Sequence, residues 1–357
     1  MNRKKYLQRQ KEEHGRGLLG VFPALYPREL LWALNILPAE IWDPPLRVRA
    51  ADAHLQPYIC PVVKQGLELI LRDKADFLDG FLFPHTCDSI QNLASVVHDY
   101  IGLDKPCFFF NHPREPHGPS ARVYYRRALG ELAEALAPRF GPLGQGRLQR
   151  RVDQGREITR LTAEVYARRA RGESALDNRG FYQALRRGEW LWPEDFAAEL
   201  KAMLSAPARP KAGGPPIILS GVLPTSPLLG ALDDLGAPVV QDDLLVAGRR
   251  LPAAYPAEGD PWDRLTEAYF SLPPCSARTS SLRRRRDHLL GLIKQTGAAG
   301  VIFHIVKFCE TELFDAPILM DELKAHGVPS LIIEAGLGAG ADGQTATRAE
   351  AFLEMLS

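Results

Sequence analysis

The sequence predicts an α/β protein: two parallel-sheet domains joined by a helical connector. Three observations carry this. Short apolar runs alternate with helix-period segments of the length that joins parallel strands. That alternation occurs twice, in matching order. Between the two, residues 141–212 hold helix-forming sequence and no strand pattern.

Residues 1–16 read as a charged, solvated arm. Leu18-Leu-Gly-Val-Phe22 is the first short buried strand. Ala24 to Asn35 has a helix pattern, with Pro27 and Glu29 suited to a first turn. Ile36 to Trp42 is the next strand. Pro61 follows Cys60 at a helix N1 position, and the helix runs on through Val62 to Arg72. Phe77 to Phe83 is a strand, Asp88 to Tyr100 a helix, and Lys105-Pro-Cys-Phe-Phe-Phe110 a further strand. Arg150 to Arg171 and Asn178 to Leu204 read as helices rich in Arg, Ala, Leu and Glu. The stretch from Ala206 to Pro216 is a linker dense in Pro and Gly, and the second α/β unit opens at Ile217.

The two units echo each other. Gly20-Val-Phe-Pro23 corresponds to Gly221-Val-Leu-Pro224, and the strand leading to Cys87 corresponds to the strand leading to Cys309. The expected organisation is an arm at 1–16, a first α/β domain at 17–140, a helical connector at 141–212 and a second α/β domain at 213–357. Each α/β domain is expected to be Rossmann/flavodoxin-like, with ligands beyond the carboxyl ends of its strands.

Composition narrows the class. Hydrophobic residues make up 45% and charged residues 24% of 357 positions, as in an ordinary globular protein. A formal net charge of +1 gives no bulk attraction for nucleic acid or an anionic membrane. The N-terminus has no apolar stretch after its charges, so no secretory signal is expected. No apolar run approaches the ~18 residues of a spanning helix. Five cysteines, an odd number, argue against a disulfide framework. The expected compartment is a reducing cytoplasm.

Cys60, Cys87 and Cys309 share one setting, each at the start of a helix after a short segment. Three thiolates gathered at one point would hold an iron–sulfur cube with one iron left open. Three unrelated buried thiols is the competing reading. Zinc held by these three with His85 is another, although the close cysteine pair typical of zinc sites is missing.

Several segments in order carry a resemblance: Pro27-Arg-Glu-Leu-Leu31, Gln56-Pro-Tyr-Ile-Cys60, Asp79 to Leu93, Asp242-Asp-Leu-Leu-Val-Ala-Gly-Arg249, Lys307-Phe-Cys309 and Thr347 to Glu354. Together they resemble the 2-hydroxyacyl-CoA dehydratase family, which includes the subunits of ATP-dependent benzoyl-CoA reductase. The resemblance implies a pair of α/β domains with a [4Fe–4S] cluster at their interface, held by Cys60, Cys87 and Cys309. It implies a heterodimer with a homologous second subunit, an acyl-CoA substrate, and a separate ATP-hydrolysing activator, itself an iron–sulfur protein, that injects one low-potential electron. The dehydratases then form a ketyl radical and lose hydroxide; the reductases put electrons into an aromatic ring. Glu29 matches an acidic position near the cluster, with a role in proton transfer or hydrogen bonding. A non-catalytic electron relay on the same scaffold and a clusterless acyl-CoA binder are the alternatives.

Other residues have plainer expectations. His54, Gln56, Tyr58, His85 and His304 flank the cysteines as possible donors to sulfur or as satisfied side chains. Cys107 is expected to pack in its strand, and Cys275 to sit on a loop. Asp242, Asp243 and Arg249 are expected to form an internal ion pair. Arg348 is expected to hold structure or meet a CoA phosphate. The run Arg283 to Arg286 reads as a solvated helix face, with phosphate or activator binding as the alternative. Gly338 to Gly343 matches Gly-x-Gly-x-x-Gly in form. No strand bearing a ribose-binding acid follows it, so a loop is expected there and not a nicotinamide site.

Overall fold

In a computed structural model, residues 2–337 and 343–356 are described. The glycine-rich motif at 338–342 therefore lies outside the described residues. In chain order the elements are α1 Arg3–His14, β1 Gly17–Val21, α2 Arg28–Ala33, β2 Ile36–Glu40, α3 Pro61–Leu71, β3 Gly80–Pro84, α4 Asp88–Ser95, β4 Cys107–Phe110, α5 Ala121–Phe140 and α6 Arg147–Ala170. There follow α7 Asn178–Arg186, α8 Pro193–Ser205, β5 Ile217–Gly221, α9 Ser226–Asp234, β6 Val239–Leu244, α10 Pro261–Phe270, α11 Leu282–Thr296, β7 Gly300–Val306, α12 Glu310–Leu313, α13 Asp315–Ala325, β8 Ser330–Ala335 and α14 Gly343–Leu356.

The chain divides into two compact units. The first comprises Met1–Ile158, Arg187–Phe196 and Pro252–Ser271; the second comprises Thr159–Arg186, Ala197–Leu251 and Leu272–Ser357. The first contains a four-stranded parallel sheet in the order β2-β1-β3-β4, and the second a four-stranded parallel sheet in the order β6-β5-β7-β8. The orders are the same once the strands are renumbered, so the echo read from the sequence is a repeat of topology.

In the first unit, β1, β2 and β3 are apolar runs because helices cover both faces of a parallel sheet. Leu18, Leu19, Ile36, Leu37 and Leu82 have no exposed surface. Fully burying each such side chain stabilises the fold by about 1.5–3 kcal/mol. The register places Leu19 beside Gly80 and Phe81 beside Cys107. The segment expected to be a solvated arm is instead helix α1, with Asn2 accepting from the Lys5 amide at its start and Gly15 left-handed at its end. It buries Tyr6 and Leu7. The Tyr6 ring meets Trp190 edge-on at 5.4 Å, and its hydroxyl accepts from the Trp192 amide at 3.0 Å. Composition hid this because only two apolar side chains on α1 face inward.

In the second unit, Ile218, Val301, Phe303, Leu319 and Leu323 form the core around β5 and β7. Residues 141–212 carry α6, α7 and α8 and, among the described residues, no strand. Part of this stretch closes the β6 edge. Tyr166 and Tyr182 donate to Asp242 at 2.5 and 2.9 Å. Asn178 bonds both the Val239 amide and the Ala237 carbonyl at 2.9 Å.

In each sheet the chain leaves the inner strand (β1 or β5) for one neighbour and then crosses to the other. The switch points therefore lie between β1 and β3 and between β5 and β7. Cys87 lies three residues beyond the end of β3, and Cys309 three beyond the end of β7.

Candidate functional site

Cys60 and Cys87 open α3 and α4, which follow the carboxyl ends of β2 and β3 in the first sheet. Pro61 forces Cys60 into extended backbone and supplies a preset N1 residue. The Cys60 carbonyl then accepts from the Val63 amide at 3.0 Å. Cys87 is extended at φ −156° and precedes Asp88, an acid suited to a first turn. Thr86 fixes this loop, its hydroxyl lying 3.0 and 3.1 Å from the carbonyls of Pro23 and Ala24. Those acceptors belong to the loop after β1, where Ala24 and Leu25 have left-handed backbone.

Both thiols are half-buried. Burial pushes Cys60 up to about 12; the first-turn amides of Val62 and Val63 favour its anion, and Cys87 opposes it. Cys87 is raised chiefly by burial, against the amides of Ile90 and Ser89 and the charge of Arg114. Charge on Cys87 thus disfavours charge on Cys60. Such a pair keeps its protons until a cation replaces them, as metal binding does. Around it, Asp88 lies 3.9 Å from His85 Nε2 and 3.8 Å from Arg114 Nη2.

Buried Glu68 on α3 braces the stretch before Cys60. Its Oε2 accepts from the amides of Arg49 and Ala51, both at 2.9 Å, and its other oxygen pairs with Arg72. These donors hold its carboxyl below the usual range despite burial.

Glu29 stands in the first turn of α2. Tyr255 donates to its Oε1 at 3.2 Å. Gly155 faces the same carboxyl so closely that a Cβ there would lie 2.3 Å from Oε1. Burial raises the Glu29 carboxyl, outweighing Arg28 and the Tyr255 hydrogen bond. A carboxyl raised in this way holds its proton more readily than an exposed one and can pass it to a bound partner.

In the second unit Cys309 caps the single turn α12, and its amide donates to Val306 at 3.0 Å. The residue before it, Phe308, is left-handed at φ 61°. His304 on β7 is fully buried. Its Nδ1 lies 3.0 Å from the Leu223 carbonyl, which only accepts, so Nδ1 carries the proton. Nε2 then accepts from Thr225, 3.3 Å away. Burial lowers His304 to about 4.

The expected ion pair of Asp243 with Arg249 is present and bidentate, both contacts at 2.8 Å. Asp242 takes no part in it and accepts instead from Tyr166, Tyr182 and the Gly248 amide. The arginine run is not a uniform solvated face. Arg283 is exposed, whereas Arg285 is buried and binds Glu312 and Asp315 at 2.9 and 2.6 Å. Helical phase explains this, because Arg285, Leu289 and Leu292 share the inward side of α11. Cys275 is buried, with its amide on Ser280 and its sulfur 3.8 Å from Arg249. Cys107 is half-buried on β4, and burial raises it to about 11. Arg348 donates to the Ile332 carbonyl at 2.8 Å, tying α14 to β8. Tyr58 is exposed, and His54 meets Tyr100 edge-on at 5.9 Å.

The first unit thus holds Cys60 and Cys87, each at a helix start, and joins Glu29 to Tyr255. Cys309 belongs to the second unit. Among the described residues no three His, Cys, Asp or Glu side chains are grouped as a metal centre. The donor chemistry of half-buried free thiols at helix starts fits an iron–sulfur group. Tyr255, Gly155, Glu68 and Arg114 were not singled out in the sequence. Tyr255 meets its partner from 226 positions away, and no motif marks any of the four.

A family model described as 2-hydroxyglutaryl-CoA dehydratase, D-component, matches residues 23–356. Lactoyl-CoA dehydratase subunit beta of Anaerotignum propionicum is 26% identical over 365 residues, which is 99% of this chain and 96% of that protein. One benzoyl-CoA reductase subunit, from Thauera aromatica, is 28% identical over 333 residues, 90% of this chain and 86% of its own. (R)-2-hydroxyglutaryl-CoA dehydratase subunit beta of Acidaminococcus fermentans is 26% identical over 372 residues, 96% and 93% of the two chains. With its repeated parallel sheets and a match spanning nearly its whole length, the chain belongs to the 2-hydroxyglutaryl-CoA dehydratase D-component family.

Proposed function

We propose that this chain is the iron–sulfur subunit of an ATP-dependent reductive enzyme acting on an acyl-CoA. The reaction is dehydration of a 2-hydroxyacyl-CoA or reduction of a benzoyl-CoA ring. Family membership makes it an enzyme subunit of the dehydratase or benzoyl-CoA reductase type. The relatives are named as subunits, which supports a partner chain; we take that partner to be homologous to this one. A separate activator ATPase supplies the electron.

Cys60, Cys87 and Cys309 are the residues assigned to a [4Fe–4S] cluster. The observation that carries the reading is the repeat: Cys87 and Cys309 occupy equivalent positions after equivalent strands, and Cys60, like Cys87, opens a helix of the first unit. When bound, such a cluster supplies one-electron transfer and, at an iron without a protein ligand, a Lewis acid. The chain's own part is to present thiols at helix starts, to surround them with first-turn amides, and to keep water from them by burial. Glu29, raised by burial and hydrogen-bonded by Tyr255, is assigned to hold a proton for the substrate.

Anaerobic purification tests this. The protein should be brown with about four irons per chain. Cys60→Ser, Cys87→Ser and Cys309→Ser should each reduce iron to less than half. An iron-free wild-type protein would point to a clusterless acyl-CoA binder. Turnover with acyl-CoA, activator, ATP and reductant separates an enzyme subunit that binds substrate from an electron relay.

A further inference from the structure

We propose that Glu312, gripped by Arg249, Arg285 and Ser276, is the positioning residue of Cys309. The inference rests on the reading of Cys309 as a ligand and adds what sets its direction. Helix α12 is a single turn, Glu310–Leu313. A turn of that length has no stability of its own. Its direction is therefore set by α13, into which it runs through the helical Phe314, and by what its side chains hold; Glu312 is buried to 1% exposure. Arg249 Nη1 donates to Glu312 Oε1, Ser276 Oγ donates to the same oxygen at 2.6 Å, and Arg285 Nη2 donates to Oε2 at 2.9 Å. The backbone carries the constraint back to the cysteine, since the Glu312 and Leu313 amides donate to the Cys309 carbonyl at 3.1 and 2.9 Å.

The charge count shows that Glu312 is not needed simply to neutralise the arginines. Arg249 already has Asp243 on two contacts, and Arg285 has Asp315 at 2.6 Å. His288 also approaches Asp243, at 3.8 Å. Glu312 is the third carboxylate, shared by both arginines, and the one placed on the turn that Cys309 opens. Buried ion pairs contribute little net stability beside apolar packing of the same volume. What this one supplies is a fixed geometry: two planar guanidinium groups and a hydroxyl hold one carboxylate in one orientation.

The test is site-resolved alkylation of the apo-protein with iodoacetamide, read peptide by peptide by mass spectrometry. Glu312→Ala leaves each arginine one carboxylate, so the fold is expected to persist by circular dichroism. The Cys309 labelling rate should change by about fivefold or more, while Cys60 and Cys87 stay within about twofold. A purely structural loss would move all three thiols together. A folded Glu312→Ala protein with an unchanged Cys309 rate overturns the proposal. If Glu312→Ala does not fold, Ser276→Ala, which removes only one of the grips, is judged by the same Cys309-specific change. Iron content keeps the two claims apart: if Cys309→Ser retains its iron, the ligand reading fails while the labelling result still judges the positioning.

Discussion

His304 has only one tautomer open to it, and its protonation links the second sheet to pH. Burial of this imidazole disfavours its charged, doubly protonated form. The folded value is about 4, against 6.5 in the unfolded chain. Between those values the unfolded state binds more protons, so stability is present above pH 6.5 and falls as pH drops toward 4. The contribution is on the order of 3 kcal/mol. His304→Gln should flatten that part of the profile, seen as a smaller fall in Tm between pH 7 and pH 5 than in the wild type. An identical fall in both proteins would show that His304 is not the titrating group.

At the scale of elements, α3 owes its seat to a missing side chain. A Cβ on Gly66 would lie 2.4 Å from the Phe22 ring. Phe22 has no room to move, being stacked on Phe83 at 4.8 Å and packed against Phe81 at 6.4 Å. Alanine favours helix over glycine by up to ~1 kcal/mol, but overpacking costs about 1–3 kcal/mol. Gly66→Ala should therefore lower the denaturant midpoint, although the same change on an exposed helix would raise it. The strands were legible in sequence because a run such as Leu18 to Phe22 is apolar throughout, which is what a sheet covered on both faces demands. Helix ends were less so. The pattern from Ala24 to Asn35 forms a helix only over Arg28–Ala33, because Ala24 and Leu25 take left-handed backbone to reach Thr86. Asp88 to Tyr100 ends its α-helix at Ser95 and finishes as a π turn. The cysteine starts of α3, α4 and α12 were readable from local signals. The contact of Tyr255 with Glu29 joins positions 226 residues apart, beyond the reach of any local pattern.

At the scale of the whole molecule, the units are not consecutive stretches of chain. A fragment of residues 213–357 keeps the second sheet but loses Tyr166, Asn178 and Tyr182, which satisfy Asp242 and the edge of β6. An unsatisfied buried group costs about 1–3 kcal/mol, a large share of a small domain's stability. That fragment should melt without a cooperative transition, while residues 159–357 should melt cooperatively. Matching cooperative curves for the two would mean that the helices contribute nothing essential.

The interleaving also sets a timetable during synthesis. Strand β4 ends at Phe110, so the first sheet can form early, yet the segment bearing Tyr255 arrives only with residues 252–271. At ribosomal speeds that interval is on the order of ten to thirty seconds. For that time Cys60 and Cys87 stand in a half-finished lobe, open to oxidants and stray metals, and position 309 emerges later still. Any group that needs all three sulfurs must be loaded onto a nearly completed polypeptide.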